Sequence, residues 1–237
     1  NHATKFCEMY FKKLNVPLVI RVPMGGKRGY GPTHSQSIEK HFLGIPNLDV
    51  IALNERVSPR LIYNTIFSNI TNPTLVIENK TLYTKKLKTR YIPGFELTDS
   101  NERYPTIKIS PISNNPDISL FCYGGILGEV EDAIEKVFYK KEILCEVICT
   151  TMINPLNIYP ILESIKNSER LLIIEDGPTI ASLGSEVIAR IPWNISHSLN
   201  VERIGFDGII PCSLIVENKI TPTSDSIALK ILEMFNE

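Results

Sequence analysis

The sequence predicts an α/β fold in which parallel strands alternate with helices, and three observations support this prediction. Short runs of β-branched and other apolar residues recur along the whole chain, as expected of buried strands. Between them lie longer segments whose apolar residues recur at helical spacing. Turn-forming residues separate the two kinds of segment. Strand–helix alternation of this kind indicates βαβ units and therefore parallel sheets.

The first half of the chain contains three predicted strands and two predicted helices. The strands are residues 18–22, 50–53 and 74–77. The first helix is predicted over residues 34–43, and Gly44 is its predicted stop. The second helix is predicted to begin at Ser58, an N-cap residue that is followed by proline at the first helical position.

The second half repeats the alternation more clearly. Its predicted strands are residues 118–123, 145–149, 171–174, 201–204 and 213–216, and its predicted helices are residues 130–138, 158–165, 180–191 and 226–235. A polar stretch with several prolines, residues 84–115, separates the halves. We therefore expect two α/β domains, residues 1–100 with the linker and residues 101–237. Three strands are few for an independent sheet, so further strands of the first domain are expected upstream of Asn1.

Composition excludes several classes of protein. The 237 residues are 43% hydrophobic and 22% charged, close to the averages for soluble globular proteins. The net charge of -1 gives no reason to expect nucleic-acid binding, because phosphate recognition usually leaves a basic stripe on the protein. No apolar run approaches the roughly 20 residues that span a membrane, and no signal peptide is recognisable. We expect a cytoplasmic protein that binds neither nucleic acid nor membranes.

Cysteine usage agrees with this expectation. The five cysteines are odd in number and lack CxxC spacing. Cys145 and Cys149 would lie on one face of a strand, where a metal or redox pair is conceivable. Small buried hydrophobic side chains are the favoured interpretation.

A glycine-rich turn, residues 25–31, follows the first predicted strand. Strand-to-helix turns of this kind can bind anions through backbone amides. The turn matches neither GxGxxG nor GxxxxGK[ST], and Pro32 removes one donor, so a bent loop with positive φ angles is the favoured interpretation. His34 follows at the carboxyl end of the strand, where open α/β sheets place ligands, and a histidine can transfer protons near neutral pH. The alternative role is packing or capping at a helix start. His41 and His197 are expected on the surface.

Other polar residues give weaker indications. The sequence has no G-x-S-x-G and no HExxH motif. Glu175 and Asp176 could hold a cation, but a solvated strand end is favoured. A cluster of basic residues in the linker predicts a solvated loop, with contact to an acidic partner as the alternative; its members are Lys85, Lys86, Lys88 and Arg90.

Residues 16–53 resemble the beta subunits of pyruvate and branched-chain 2-oxo acid dehydrogenases, which belong to the transketolase superfamily. The resemblance is carried by a strand ending in Arg-x-Pro, a glycine-rich loop, a His-Ser-Gln segment and a Pro-containing turn before the next strand. Here these are Arg21-Val22-Pro23, residues 25–31, His34-Ser35-Gln36 and Ile45-Pro46-Asn47. The next strand and loop of the family are matched by Thr71-Asn72-Pro73, Glu78 and Leu82-Tyr83. From Ile118 onward the chain is similar to the transketolase C-terminal domain.

The resemblance implies a partial pyrimidine-binding-type parallel sheet domain followed by a transketolase C-terminal-type α/β domain. It also implies a thiamine-diphosphate- and magnesium-dependent enzyme that decarboxylates a 2-oxo acid and transfers the acyl group to lipoyl. Its implied partners are an alpha subunit or alpha half, the lipoyl acyltransferase component and a second copy of the chain. His34 takes the position of a family histidine close to the reacting carbon. It is the one catalytic residue that we transfer.

The chain also departs from the family. The pyrimidine-binding glutamate lies upstream of the segment that matches Asn1, and the Gly-Asp-Gly motif that holds diphosphate and magnesium in the alpha subunit is absent. We therefore assign no cofactor-binding or metal-binding residue here and expect the chain to be inactive alone. Two alternatives stay open: another transketolase-like synthase, such as a deoxyxylulose-phosphate synthase, and a non-catalytic assembly module of the same fold.

Overall fold

The computed structural model describes residues 1–235, and its strands form two sheets whose carboxyl ends face each other. The strands are β1 (Val19–Met24), β2 (Asp49–Ala52), β3 (Thr74–Asn79), β4 (Phe95–Asp99), β5 (Ile107–Pro111), β6 (Ile118–Tyr123), β7 (Cys145–Thr150), β8 (Met152–Asn154), β9 (Arg170–Ile174) and β10 (Asn200–Ile204). The helices are α1 (His2–Met9), α2 (Pro59–Ser68), α3 (Leu127–Lys141), α4 (Tyr159–Ser168), α5 (Leu183–Ala189), α6 (Trp193–Ser196), α7 (Leu214–Ile220) and α8 (Ser224–Glu233). The predicted mixed α/β class with parallel sheets is confirmed.

The smaller sheet has the strand order β1-β3-β2-β8. Strands β1, β3 and β2 are parallel, as the βαβ alternation predicts. Strand β8 is antiparallel and comes from the second half of the chain, directly after β7. The second half therefore contributes a strand to the sheet of the first half, and the two halves are joined by backbone pairing.

The larger sheet has the order β10-β9-β6-β7-β5-β4. Its strands β10, β9, β6 and β7 are parallel. Strand β5 and the edge strand β4 are antiparallel to their neighbours and lie in the stretch that was predicted as a linker. The linker prediction missed them because most of their solvent-facing positions are polar and prolines lie close to both strands. Phe95, Ile107 and Ile109 are nevertheless buried.

Both faces of the larger sheet are covered. Leu120 and Cys122 of β6 face the cluster that contains the buried side chains of α3 and α8. Phe121 and Tyr123, which alternate with them, face the cluster that contains α4 and α5. A strand buried on both sides reads as a continuous apolar run, which is why β6 was recognisable in the sequence.

Three predicted elements differ from the structure. The helix expected over residues 34–43 is a series of turns with one 3-10 turn, Glu39–His41, because Ser37 and Glu39 bond to the second half of the chain. The strand expected at residues 213–216 lies in helix α7, which buries Glu217 and leaves the apolar residues exposed. The helix expected over 180–191 begins only at Leu183, because Ala181 has φ +52°.

Candidate active site

The glycine-rich loop, residues 25–31, lies at the carboxyl end of β1 and packs against the second half of the chain. Gly25 has φ +91°, and a Cβ atom there would lie 2.6 Å from the Asn79 side-chain nitrogen. Gly31 has φ +78°, and a Cβ there would overlap the Cys212 sulfur. The loop therefore requires glycine for both conformation and close approach, as the bent-loop interpretation predicts.

His34 follows this loop and is exposed. It lines a cavity of about 560 Å³ whose wall has an apolar side and a polar side. The apolar side is formed by Pro23, Met24 and Ile38, and the polar side by Tyr30, Thr33, His34, Gln36 and Lys80. The imidazole is thus placed where a ligand can reach it. Its catalytic role stays a prediction.

Lys80 is the other basic residue of this cavity. Its ammonium group donates a hydrogen bond to the carbonyl of His34 and lies 5.4 Å from the centre of the Tyr30 ring. Burial, together with the nearby Arg28 guanidinium, lowers the pKa of Lys80. Arg28 in turn donates to the carbonyl of Lys80 at 2.7 Å. No sequence pattern singled out Lys80, because only the fold brings the end of β3 beside the His34 segment.

A buried group of carboxyl side chains lies behind the cavity. The Tyr123 hydroxyl donates to Glu39 at 2.8 Å and contacts Glu175 at 3.3 Å. Burial raises the pKa of Glu39 to about 7, and the charges of Glu175 and Asp176 act in the same direction. Glu175 has further donors in Ser182, at 2.6 Å, and Arg203, at 3.1 Å. Glu39 therefore titrates near neutral pH.

Asp176 connects the carboxyl ends of the two sheets. It accepts a hydrogen bond from Asn79, the last residue of β3, at 2.6 Å. Its backbone carbonyl accepts a hydrogen bond from Ser37. Burial raises the pKa of Asp176 to about 6. The expectation of a solvated strand end at Glu175 and Asp176 is wrong, because the smaller sheet covers the end of β9.

A second polar network lies on the α2 side of the smaller sheet. Glu78 accepts two hydrogen bonds from Arg21, at 2.8 and 2.9 Å, and one each from Tyr63 and Tyr83. Burial alone would raise the pKa of Glu78, but these donors outweigh it and lower the pKa. The network borders a cavity of about 360 Å³. Arg21, Glu78 and Tyr83 belong to the motifs that carry the family resemblance, so the resemblance had selected three of the four members of this network.

The basic cluster of the linker is mostly paired within the chain. Lys85 binds Glu55 at 2.6 Å, Lys88 binds Glu131 at 2.8 Å, and Arg90 binds Glu135. Lys85 and Arg90 are exposed in a loop, as predicted, whereas Lys88 is partly buried. Acidic side chains, two of them on α3, lie opposite the three residues. Cys145 and Cys149 are free and fully buried, which confirms the hydrophobic interpretation.

The residues present do not form a complete site for diphosphate and magnesium. The sequence contains no Gly-Asp-Gly. Among residues 1–235, no group of three or more His, Cys, Asp or Glu side chains is arranged to hold a metal ion. In the same residues, no helix is both long and apolar enough to cross a membrane.

The two sheets meet at their carboxyl ends, and the glycine-rich loop and His34 lie beside a cavity at the end of the smaller sheet. This arrangement defines an α/β protein of the kind that binds ligands at strand ends. The family described as "Transketolase, C-terminal domain" matches residues 108–227. The chain belongs to this family.

Curated relatives extend the similarity into the first half. The chain is 29% identical over 189 residues to "Pyruvate dehydrogenase E1 component subunit beta" of Porphyra purpurea, which covers 78% of this chain and 53% of the relative. It is 26% identical over 230 residues to "Pyruvate dehydrogenase E1 component subunit beta-1, mitochondrial" of Oryza sativa subsp. japonica, and the match covers 96% of this chain and 60% of the relative. It is 27% identical over 243 residues to "Acetoin:2,6-dichlorophenolindophenol oxidoreductase subunit beta" of Bacillus subtilis (strain 168), and the match covers 100% of this chain and 67% of the relative. The chain thus spans about half to two thirds of these relatives.

A solved structure supports the fold. The "Split gene transketolase, inactive beta4 tetramer" matches with a TM-score of 0.60 and 17% identity, covering 94% of this chain and 67% of that one. The likeness extends across both sheets, so it supports the arrangement of both halves and not only the C-terminal domain.

Proposed function

We propose that this chain is the beta portion of a thiamine-diphosphate-dependent 2-oxo acid dehydrogenase, of the pyruvate or branched-chain type. Together with an alpha partner it would decarboxylate a 2-oxo acid and pass the acyl group to the lipoyl acyltransferase component. The observation that carries the proposal is the position of His34, exposed at a cavity beside the carboxyl ends of the strands. The names of the pyruvate dehydrogenase relatives support the same assignment.

In this proposal His34 is the catalytic residue of the chain. Thiamine diphosphate, when bound, supplies the group that accepts electrons as carbon dioxide leaves. The His34 imidazole would orient the substrate or hold a proton beside its keto oxygen. Lys80 fixes the backbone at His34 through its carbonyl, and Met24 and Ile38 provide an apolar wall for the substrate side chain.

The test of His34 uses the complete enzyme, with the full-length chain and its alpha partner. Replacing His34 with Ala should lower turnover roughly 10²–10⁴-fold, the usual effect of losing a general acid–base group. His34→Asn retains a hydrogen bond but cannot titrate, so it separates positioning from proton transfer. Stability should change little, because the side chain is exposed.

His41 provides the matched control, because it is an exposed histidine in the same segment and outside the cavity lining. His41→Ala should retain normal turnover. Near-normal turnover in both His34 variants would remove the catalytic assignment. Loss of stability along with activity would instead make His34 a packing residue.

Cofactor binding is proposed to require the partner. An alpha subunit or alpha half would supply the diphosphate–magnesium clamp, and a segment upstream of Asn1 would supply the pyrimidine-binding glutamate. We expect no measurable thiamine-diphosphate binding and no activity from the 237-residue chain alone. Calorimetric titration with cofactor and magnesium tests this, and micromolar affinity would contradict it.

The substrate is tested with a panel. The complete enzyme is assayed for decarboxylation of pyruvate and of branched-chain 2-oxo acids, and for oxidation of acetoin, because the name of the Bacillus subtilis relative includes acetoin. Turnover of 2-oxo acids with transfer to lipoyl supports the proposal. Condensation of two substrates without lipoyl transfer would support a transketolase-like synthase such as a deoxyxylulose-phosphate synthase. Inactivity with every substrate, in a cofactor-loaded complex, would support an assembly module.

Self-association is also proposed, through the second half of the chain. Helix α7 exposes apolar side chains that a partner would cover, Ile215 being 73% and Leu214 47% exposed. The matching split-gene transketolase is itself described as a tetramer of beta chains. Ile215→Lys should reduce the sedimentation coefficient of the assembly, while Ile112→Lys, on an exposed turn, should not. A monomer for the unaltered protein at high micromolar concentration would contradict the proposal.

The domain boundary and the cellular location of the chain can also be tested. We infer a domain division near residue 100, although the two halves share a sheet, and a cytoplasmic location. Limited proteolysis tests the division. Cell fractionation tests the location against the mitochondrial one in the name of the rice relative.

A further inference from the structure

Glu217 contacts the glycine-rich loop from the second half of the chain. It lies on α7 and is fully buried. Its Oε2 atom accepts hydrogen bonds from the backbone N–H groups of Arg28, at 3.1 Å, and Gly29, at 2.6 Å. Gly29 and Glu217 are 188 positions apart in the sequence. A single carboxylate oxygen therefore fixes two consecutive amides of the loop.

The other oxygen of Glu217 has no hydrogen-bond partner among the described residues. It lies 2.7 Å from the position that a Cβ atom on Gly26 would occupy. A buried carboxylate with an unsatisfied oxygen is costly to the fold. Side chains that cost stability in this way are found where function constrains the structure, so the arrangement calls for a role beyond packing.

The contact continues to the candidate catalytic residue. The backbone amide of Arg28 is held by Glu217, and its guanidinium donates a hydrogen bond to the carbonyl of Lys80 at 2.7 Å. Lys80 donates to the carbonyl of His34. Displacement of the Arg28 backbone would therefore move the group that holds the His34 backbone.

We propose that Glu217 is a positioning residue that sets the glycine-rich loop, and through Arg28 and Lys80 the backbone at His34, in the catalytically competent arrangement. This inference rests on the proposed function of His34. It assigns to the transketolase C-terminal domain a share in shaping the active site of the neighbouring sheet. Glu217 itself does not touch the substrate.

Three variants separate reach from charge. Glu217→Gln keeps the length of the side chain and an oxygen acceptor but loses the charge. Glu217→Asp keeps the charge but is one methylene shorter, so its oxygens no longer reach both amides. Glu217→Ala removes the acceptor. A control is Glu146→Asp, because Glu146 is also a buried carboxylate with one unpartnered oxygen, on β7 and away from the loop.

The first measurement is hydrogen–deuterium exchange at single-residue resolution in the full-length chain with its alpha partner. The Asp and Ala variants should exchange the Arg28 and Gly29 amides about tenfold faster or more, because the shortened or removed side chain no longer accepts both hydrogen bonds. The Gln variant and Glu146→Asp should leave these rates within about threefold of the unaltered chain. Unchanged loop exchange in the folded Asp and Ala variants would overturn the inference. If Ala fails to fold, the Asp–Gln contrast decides alone.

The second measurement is turnover of the same complexes. Glu217→Asp should lower kcat by about 10²-fold with little change in KM, the size expected of a small misplacement near the chemistry. Glu217→Gln should retain most of the kcat of the unaltered enzyme, a difference from Glu217→Asp that a role in stability alone does not predict. Normal kcat in a Glu217→Asp enzyme with a mobile loop would also overturn the inference. Failure of the proposed function is recognised separately, by normal turnover after replacement of His34.

Discussion

The two sheets are built from the same kind of parallel unit, yet their strands differ in burial. Every residue of β6, in the middle of the larger sheet, is buried. Strand β1 is equally apolar at most positions but lies at the edge of the smaller sheet, where only Met24 is buried and Ile20 is 42% exposed. Composition thus predicts that a strand forms. Adjacent strands on both sides and packing on both faces decide how much that strand contributes to the free energy of folding.

The sharpest test of this comparison is one truncation in each strand. Phe121→Ala in β6 should destabilise the chain by about 4 kcal/mol, the usual cost of removing a fully buried aromatic ring. Ile20→Ala in β1 should cost less than about 1 kcal/mol, because its side chain is already partly in water. Denaturant unfolding monitored by circular dichroism measures both. Similar losses for the two variants would show that β1 is as well packed as β6.

The contact between the first half and α3 gives the next prediction. Arg56 binds Glu131 through two nitrogens, at 2.8 and 3.0 Å, and both side chains are nearly fully buried. Glu131→Ala leaves the Arg56 charge buried without its carboxylate and should cost about 3 kcal/mol in unfolding free energy. The exposed pair Lys136–Asp225 is the control, since Asp225→Ala should cost no more than about 1 kcal/mol. Equal effects would mean that burial does not distinguish the two pairs.

The smallest expected effect concerns pH and the interface between the sheets. The pKa of Glu39 is raised to about 7 from an ordinary value of 4.5. Between these pH values the unfolded chain loses a proton that the folded chain keeps, so stability falls as pH rises and is level above about 7. Glu39→Gln cannot ionise, and its stability relative to the unaltered chain should therefore increase between pH 5 and pH 8, by on the order of 2 kcal/mol.

The measurement is urea unfolding of both proteins at several pH values, with exposed Glu163→Gln as the control. The difference in unfolding free energy between Glu163→Gln and the unaltered chain should stay constant with pH. A constant difference for Glu39→Gln as well would mean that Glu39 is ionised in the folded chain, and that the Tyr123 contact does not bury a neutral carboxyl.

The sequence predicted most of the strands because buried parallel strands carry their own signal. The runs at residues 118–123, 145–149 and 171–174 are largely apolar, and each is a strand with covered faces. The helix start at Ser58 was recognisable for a similar reason, since N-cap and proline chemistry act within a few residues. Of the candidate site, the sequence itself indicated the glycine-rich loop and His34.

Tertiary contacts decided what the sequence mispredicted. Residues 34–43 have a helical pattern, but hydrogen bonds to Asp176 and Tyr123 hold them in turns. Residues 213–216 read as a strand, but helix α7 forms and buries Glu217 against the loop. Local periodicity cannot register partners such as these, which lie 84 or more positions away in the sequence.

The sequence by itself thus determined the α/β class, the parallel units, the glycine-rich loop and the histidine beside it. The tertiary structure alone decided that the two sheets meet at their carboxyl ends and that the second half of the chain adds strand β8 to the smaller sheet. It also decided that Lys80 and Glu217 lie close to the His34 segment, and that Glu39 and Asp176 are shielded from water. The physical reason is that secondary structure follows short-range backbone and side-chain preferences, whereas burial, raised pKa values and loop geometry depend on groups that only the complete fold brings together.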